Sequence, residues 1–502
     1  MKITNWIFRI NSYNINEELK ISEQENDLKR VKDEGSRFLQ YTAGICACIS
    51  MAAWGSFIAW PSPAIPHLTS NSSAFPVTKE QGSLIISLYN LGDLFGGLIN
   101  PLFIDRIGRK YTLLLFSLPG LVGWILIIFA NNCVYLYIAR FIAGVGQGST
   151  FNSLVIYLTE ISEKSIRGIL INMMHMSMIT GIFVFTIVAT YTSYNVLNFA
   201  SATLPILFLL MFPFLPETPY YYLMKGRNED SMKCLMKLRG ICDPNQLTSE
   251  IDEMRLAIEE EKKLKTSNFR ELINKSHNRR GLLIIFFLKM TQLLSGIVAI
   301  LAYAQEIFAK SNLSINPGVQ VIIVNGISLL ACFATHVIIE RFNRRTLFLS
   351  TGLLASLCLG SVSLFFFMEL YLEADVSSIS FVPLVALVCF QIVYQFGLGT
   401  VPYIVQGELF PMNVKGSAVA CGMVMGSCFA FATTAGYSVL SNAAGIYTTF
   451  FFFATTALLG SVITFWIMPE TKGRSLEEIQ AMQNPKLKEK LDSERKINKS
   501  VN

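Results

Sequence analysis

The sequence predicts an all-α membrane protein: twelve transmembrane helices in two six-helix bundles, joined by a cytosolic helical linker. Three observations predict it. The 502 residues are 52% hydrophobic and only 15% charged, against about 25% charged in a typical soluble chain. The charges gather in short clusters between long uncharged runs. Three short motifs at span ends recur in the same order in the second half of the chain. The composition excludes a soluble multidomain enzyme, a disordered chain and a nucleic-acid-binding protein, and the net charge is only +6.

Residues 1–37 read as a cytosolic N-terminus. They lack the continuous apolar core of a cleavable signal, so the first span is expected to act as its own insertion signal. A bilayer crossing needs about 20 mostly apolar residues. Such runs place spans 1 to 6 at 41–61, 82–104, 112–130, 134–158, 168–190 and 197–215, within a first bundle of 38–216. Spans 7 to 12 fall at 281–308, 318–339, 346–368, 380–406, 414–438 and 446–468, within a second bundle of 281–468. Segments 168–216 and 416–469 contain no Asp, Glu, Lys or Arg, and each is long enough for two spans. Helices are expected because lipid offers no partner to exposed backbone groups. The linker, 217–280, carries 13 Lys/Arg and 11 Asp/Glu, the composition of short water-facing amphipathic helices. A charged tail occupies 469–502.

Orientation follows from the basic residues. With both termini cytosolic, 37 of the 41 Lys and Arg face the cytosol. Lys79 and Lys310 then lie outside, and Arg140 and Lys289 lie within spans. The sequons at Asn71 and Asn312 both fall outside and are candidate glycosylation sites. The ten cysteines form no Cys-x-x-Cys pair and read as free thiols in apolar runs, so no metal site or cofactor is expected.

The repeat is specific. Asp105-Arg106-Ile107-Gly108-Arg109-Lys110 after span 2 is matched by Glu340-Arg341-Phe342-Asn343-Arg344-Arg345 after span 8, 235 residues later. Glu160 and Arg167-Gly168 after span 4 are matched by Glu408 and Lys415-Gly416 after span 10. Pro216-Glu217-Thr218 after span 6 is matched by Pro469-Glu470-Thr471 after span 12. Two parallel six-helix repeats follow. Arginine forks pair with carboxylates at helix ends. These charges are therefore expected to form a cytosolic gating network between the halves: Asp105, Arg109, Lys110, Arg140, Glu160, Arg167, Glu217, Glu340, Arg344, Arg345, Glu408, Lys415 and Glu470. Topology signals and helix caps would account for the basic residues but not for the matched acids.

Taken jointly, these motifs resemble the sugar porter family of the major facilitator superfamily. The resemblance runs from span 1 to Pro469-Glu470-Thr471-Lys472-Gly473-Arg474 and includes Arg140 in span 4, Gln292-Leu293-Leu294-Ser295-Gly296 and Glu408-Leu409-Phe410-Pro411. Glu80-Gln81-Gly82-Ser83 and Phe129-Ala130-Asn131-Asn132 are similar to insect facilitated trehalose/glucose transporters. The resemblance implies the major facilitator fold, a plasma-membrane location, and facilitative movement of a hexose or trehalose by alternating access to a central site. Of the residues it implies for that site, Gln292 is kept. The second glutamine and the asparagine of the span 7 motif are Leu293 and Val298. The span 8 asparagine falls on Ser328, the span 5 glutamine on His175, the span 10 tryptophan on Tyr403, and the span 11 Asn-Trp on Gly426-Ser427. Each buried hydroxyl left unpaired costs about 1–3 kcal/mol, so the polar site for a neutral sugar is reduced.

Ionisable residues within spans are functional candidates. Asp93 lies midway along span 2. Lys289 lies one turn before Gln292, on the same face. Snorkelling, a structural pair with Asp93 and a solute-binding role are all open for Lys289; His175 is either a packed polar residue or a site residue. Span 1 contains no acid, unlike proton-driven relatives, which favours uniport. The candidate solute site is thus Gln292, Tyr403, His175, Ser328 and Lys289, with a sugar as partner within the lipid bilayer. A carrier of another or anionic solute, possibly coupled to protons, and a non-transporting sugar sensor are the alternatives. No nucleotide-binding loop or hydrolase motif is present, so no enzyme activity is expected. The oligomeric state is not legible.

Overall fold

The computed structural model describes residues 36–70, 73, 75–264, 268–410 and 412–472, and among these it contains helices and no strand. Eleven helical stretches are long and apolar enough to cross a membrane. The twelfth, Cys133–Ile161, has 29 residues, a length of about 43 Å at 1.5 Å per residue. Its apolarity is diluted by Arg140 and by the small and polar run Gly146-Gln147-Gly148-Ser149-Thr150. That composition suits an interior helix. Gly144 and Gly148 sit against the carbonyls of Tyr89 and Asp93 on span 2 (Lys79–Ile107), while Gly92 and Gly96 sit against the carbonyls of Phe141 and Val145. A side chain at any of the four would part the helices, the close packing that small residues allow between membrane helices.

Helix starts are capped by the residues that the sequence places there. Thr78 and Gln81 form a reciprocal capping box at the start of span 2, with bonds of 3.2 and 3.0 Å. The Asn132 side chain accepts the Val134 N–H at 2.9 Å and starts span 4. Span 7 begins at Ser276, earlier than the expected 281, and breaks at Ser295-Gly296. Gly296 adopts φ +89°, a conformation open to glycine, and its Cα faces the Phe453 ring so closely that a Cβ has no room. The chain resumes as Ile297–Ala302 and Ala304–Lys310. Span 10 is likewise divided: Val382–Val393, a single wide turn over Tyr394–Leu398, then Val401–Glu408.

The linker forms helices Pro219–Met224, Asn228–Arg239, Thr248–Leu264 and Asn268–Asn274. Leu223, Leu235, Leu247, Ile251, Met254 and Ile258 build a small core of their own. Gln40 donates to the Leu238 carbonyl at 3.0 Å and Arg239 to the Ile161 carbonyl at 2.9 Å, which ties the linker to the first bundle.

The two bundles touch through polar bridges. Ser427 donates to Asp93 at 2.7 Å and Asn90 to Thr434 at 3.1 Å, joining spans 2 and 11. Asn325 donates to Thr186 at 3.0 Å, joining spans 8 and 5, and the Gln305 N–H donates to Ser62 at 3.2 Å. These four bridges run from mid-depth towards the end opposite the Arg–Glu motifs.

Candidate functional site

Two regions collect the candidate residues. The first lies at mid-depth, beside the break in span 7. Gln292 sits three residues before Ser295 and Lys289 one turn earlier, so the helix places both on one face. The Lys289 ammonium donates to Gln292 Oε1 at 3.1 Å and lies 3.5 Å from the centre of the Tyr403 ring. Gln292 Nε2 donates to the Gly399 carbonyl at 2.8 Å, a group exposed by the wide turn of span 10. Tyr403 keeps 49% of its surface open while Lys289 is only 2% exposed. The region therefore offers an open aromatic face, an amide and a covered cation.

The second region lies where spans 2, 4 and 6 end. Arg109 donates through Nε to Glu160 at 2.9 and 3.0 Å, and its Nη2 lies 2.9 Å from the same carboxylate. Its Nη1 reaches Asp105 at 3.3 Å. Thr218 adds a hydroxyl donor to Glu160 at 2.6 Å. Glu217 accepts the backbone N–H groups of Arg109, Lys110 and Thr218 at 2.9–3.2 Å. It thus caps the N-terminus of span 3 (Arg109–Ile128), where the helix dipole favours an anion. Burial nevertheless pushes its carboxyl up from the ordinary 4.5 to about 7, against the pull of those N–H groups. The second half repeats the cap: Glu470 accepts the N–H groups of Arg344, Arg345 and Lys472 at 3.0–3.2 Å. Arg344 stands 4.0 Å from Glu408.

A family model described as sugar (and other) transporter matches residues 19–482. The chain belongs to the sugar (and other) transporter family. It is 30% identical to the facilitated trehalose transporter Tret1 of Apis mellifera ligustica over 90% of both chains. It is also 30% identical to the protein of that name from Aedes aegypti, over 88% of this chain but only 54% of that one. Among solved structures, the partially occluded inward-open xylose transporter XylE from E. coli superposes with a TM-score of 0.73, at 17% identity, over 88% of this chain and 100% of that one. The fold is the twelve-helix major facilitator fold, and the family is one of transporters, not enzymes.

Within this family member the residues do not all meet as expected. The Arg109–Glu160, Arg109–Asp105 and Arg344–Glu408 pairs each lie inside one half rather than between halves. In this arrangement the charges brace each bundle. Arg140 is not with them. It lies at the opposite end of span 4, donating to the Phe57 carbonyl at 2.7 Å and the Ile85 carbonyl at 3.3 Å, with its guanidinium 4.2 Å from the Tyr89 ring centre. Among the described residues Arg167 reaches only the Ser162 carbonyl, at 3.4 Å. Glu163 meets Arg37, the residue just before the span 1 helix, at 2.9 Å. Arg345 donates to the Phe465 carbonyl at 2.7 Å, and Lys110 Nζ to the Pro213 carbonyl at 2.7 Å. Glu340 is exposed, and neither it nor Lys415 joins an ion pair among the described residues.

Around the solute site, Lys289 neither snorkels nor pairs with Asp93. Its helix starts thirteen residues before it, at Ser276, so it lies about 20 Å along the helix. Asp93 instead takes the Ser427 hydroxyl. Ser328 is buried and accepts from Gln395 Nε2 at 3.1 Å, away from Gln292. His175 is half-buried on span 5. Asn312 is exposed in a left-handed conformation, φ 51°, and its amide donates to Glu369 at 2.8 Å. Asn71 lies outside the described residues. Sequence reasoning overlooked Asn90, and it named Ser427 only as a position where a family residue is replaced. Asn90 stands three residues before Asp93 on the same helix face, a spacing that was available.

Proposed function

We infer that this chain carries a sugar across the membrane by alternating access, as a facilitative carrier that hydrolyses no ATP. The observation that carries the reading is the Gln292–Tyr403 site at mid-depth, beside the break in span 7 and next to the seam between two repeated bundles. The relatives' name adds weight to a facilitated sugar. The four bridges that join the bundles away from the Arg–Glu motifs are consistent with a state open on the motif side. In the reverse state those bridges part and the motif ends close.

The same reading has both termini in the cytosol, a plasma-membrane destination, Asn71 and Asn312 as outward glycosylation sites, and bundle limits at 38–216 and 281–468. The motif charges act as the cytosolic gate. Charge reversal at Glu408 is expected to impair transport more than surface delivery, and normal transport with Glu160 and Glu408 both neutralised would exclude that role.

The test is radiolabelled uptake into oocytes expressing the full chain at the surface, comparing glucose, trehalose and fructose at two external pH values. Saturable, pH-independent uptake is expected. Gln292→Ala should lower it by about tenfold, the effect of one buried hydrogen-bonding group. No saturable sugar uptake despite surface delivery would refute the reading.

A further inference from the structure

The mid-depth site contains a cation that has no counter-ion among the described residues. Lys289 is 2% exposed, and its ammonium touches two neutral groups, Gln292 Oε1 and the Tyr403 ring. Asp93, an acid at similar depth, is engaged by Ser427. No carboxylate reaches Lys289 among the described residues. A buried charge without its opposite is costly, and an aromatic face and an amide offset only part of that cost. Ionisable groups held inside membrane bundles mark solute pathways.

A neutral sugar is poorly served here. Gln292 spends its Oε1 on Lys289 and its Nε2 on Gly399. Its neighbours on the same segment are apolar, Leu293 and Leu294 before the break and Ile297 and Val298 after it. An anion changes the balance. Its charge takes the Lys289 ammonium and releases Gln292 Oε1 to accept a hydroxyl. The open face of Tyr403 remains for the sugar ring. Gly426 of span 11 lies beside the lysine, and a Cβ there would fit in ordinary van der Waals contact with Leu293 at 3.7 Å and the Lys289 stem at 3.9 Å. A single ammonium with no arginine fork beside it suits a monovalent carboxylate better than a phosphate dianion, which is held by several donors.

We propose that the solute is a sugar acid, a hexuronate or aldonate, whose carboxylate is the counter-ion of Lys289 while Gln292 and Tyr403 hold the sugar body. The Tyr403 ring, which covers the ammonium, moves aside as the carboxylate arrives. This rests on the reading of the chain as a sugar carrier and narrows its substrate class.

The experiment compares labelled glucuronate and labelled glucose in oocytes expressing the full-length chain, with surface delivery measured by biotinylation. The expected result is saturable glucuronate uptake that also competes with glucose. K289Q should shift selectivity from glucuronate towards glucose by at least about tenfold, the scale of an unpaired buried charge, and K289R should keep most of the glucuronate preference. The arginine variant retains the positive charge, so a general folding defect in K289Q is distinguished from loss of charge. Saturable glucose uptake that glucuronate does not inhibit overturns the proposal and leaves the sugar-carrier reading standing. Equal glucuronate uptake by the parent and K289Q at equal surface delivery also overturns it. Absence of saturable uptake of either sugar overturns both.

Discussion

The two halves carry the same motif and use it differently. In the first, Arg109, Glu160 and Thr218 close into a tight buried cluster with contacts of 2.6–3.0 Å. In the second, Arg344 stands 4.0 Å from Glu408. There Arg344 Nε, Glu408 Oε2 and the Thr471 hydroxyl have no hydrogen-bond partner among the described residues. The caps, by contrast, match: Glu217 and Glu470 each hold the first backbone N–H groups of the following helix. The shared part of the motif is thus a helix cap, and the Arg–Glu pair is the part that differs. An arginine and an acid left half-joined inside a bundle are placed to change partners, whereas a closed triad is placed to hold.

The largest test of that difference is to break each pair. Glu160→Gln should cost about 3 kcal/mol because it leaves the buried Arg109 with only the exposed Asp105 as counter-charge among its described partners. Glu408→Gln should cost less than about 1 kcal/mol, as for a loose, partly solvated pair. Thermal unfolding of the two variants in detergent measures this, and equal losses would abolish the contrast.

The next test uses pH. Glu217 has its folded value raised to about 7 by burial. The folded state therefore holds this proton more tightly than the unfolded state. The stabilisation is fully present below about pH 4.5 and is lost as pH rises through about 7, a swing on the order of 3 kcal/mol. Melting temperature should fall over that interval in the parent, and the Glu217 contribution should vanish in Glu217→Gln. A parent curve unchanged by the substitution would contradict the assignment.

A smaller effect is expected at the threonines. Thr218→Val removes a hydroxyl bond to a carboxylate and should cost about 1.5–3 kcal/mol. Thr471→Val removes a hydroxyl that has no partner among the described residues and should be near neutral or slightly stabilising. Smallest, and equal in both halves, is the cap itself: Glu217→Ala and Glu470→Ala measured at about pH 8 should each cost on the order of 1 kcal/mol. Unequal losses there would show that the caps differ too.

Much of this was legible beforehand. The uncharged runs and the paired motifs mark the helices and the repeat without any knowledge of contacts. Thr78, Gln81 and Asn132 announce their helix starts through local chemistry. The charge network was misread where partners had to be guessed. Arg140 belongs to the same set by residue type, yet it begins span 4 while Glu160 ends it, and the helix separates them by about 30 Å at 1.5 Å per residue. Lys289 was ambiguous because its depth depends on where span 7 starts, and charged residues near that start conceal the extra turn from Ser276. Span 4 is placed with the other apolar runs, although its small and polar residues keep it below the apolarity of its neighbours.

The sequence by itself determined the number of spans, their order, the repeat, and which residues sit at span ends, because bilayer thickness and the cost of bare charge act along the chain one segment at a time. Only the tertiary structure decided which charges meet. Glu217 caps a helix that begins 108 residues earlier, and Lys289 rests on a tyrosine from span 10 rather than on Asp93. Such partners are set by the rotation and depth at which packed helices stop. Those depend on glycine crossings and helix breaks shared between segments far apart in the chain.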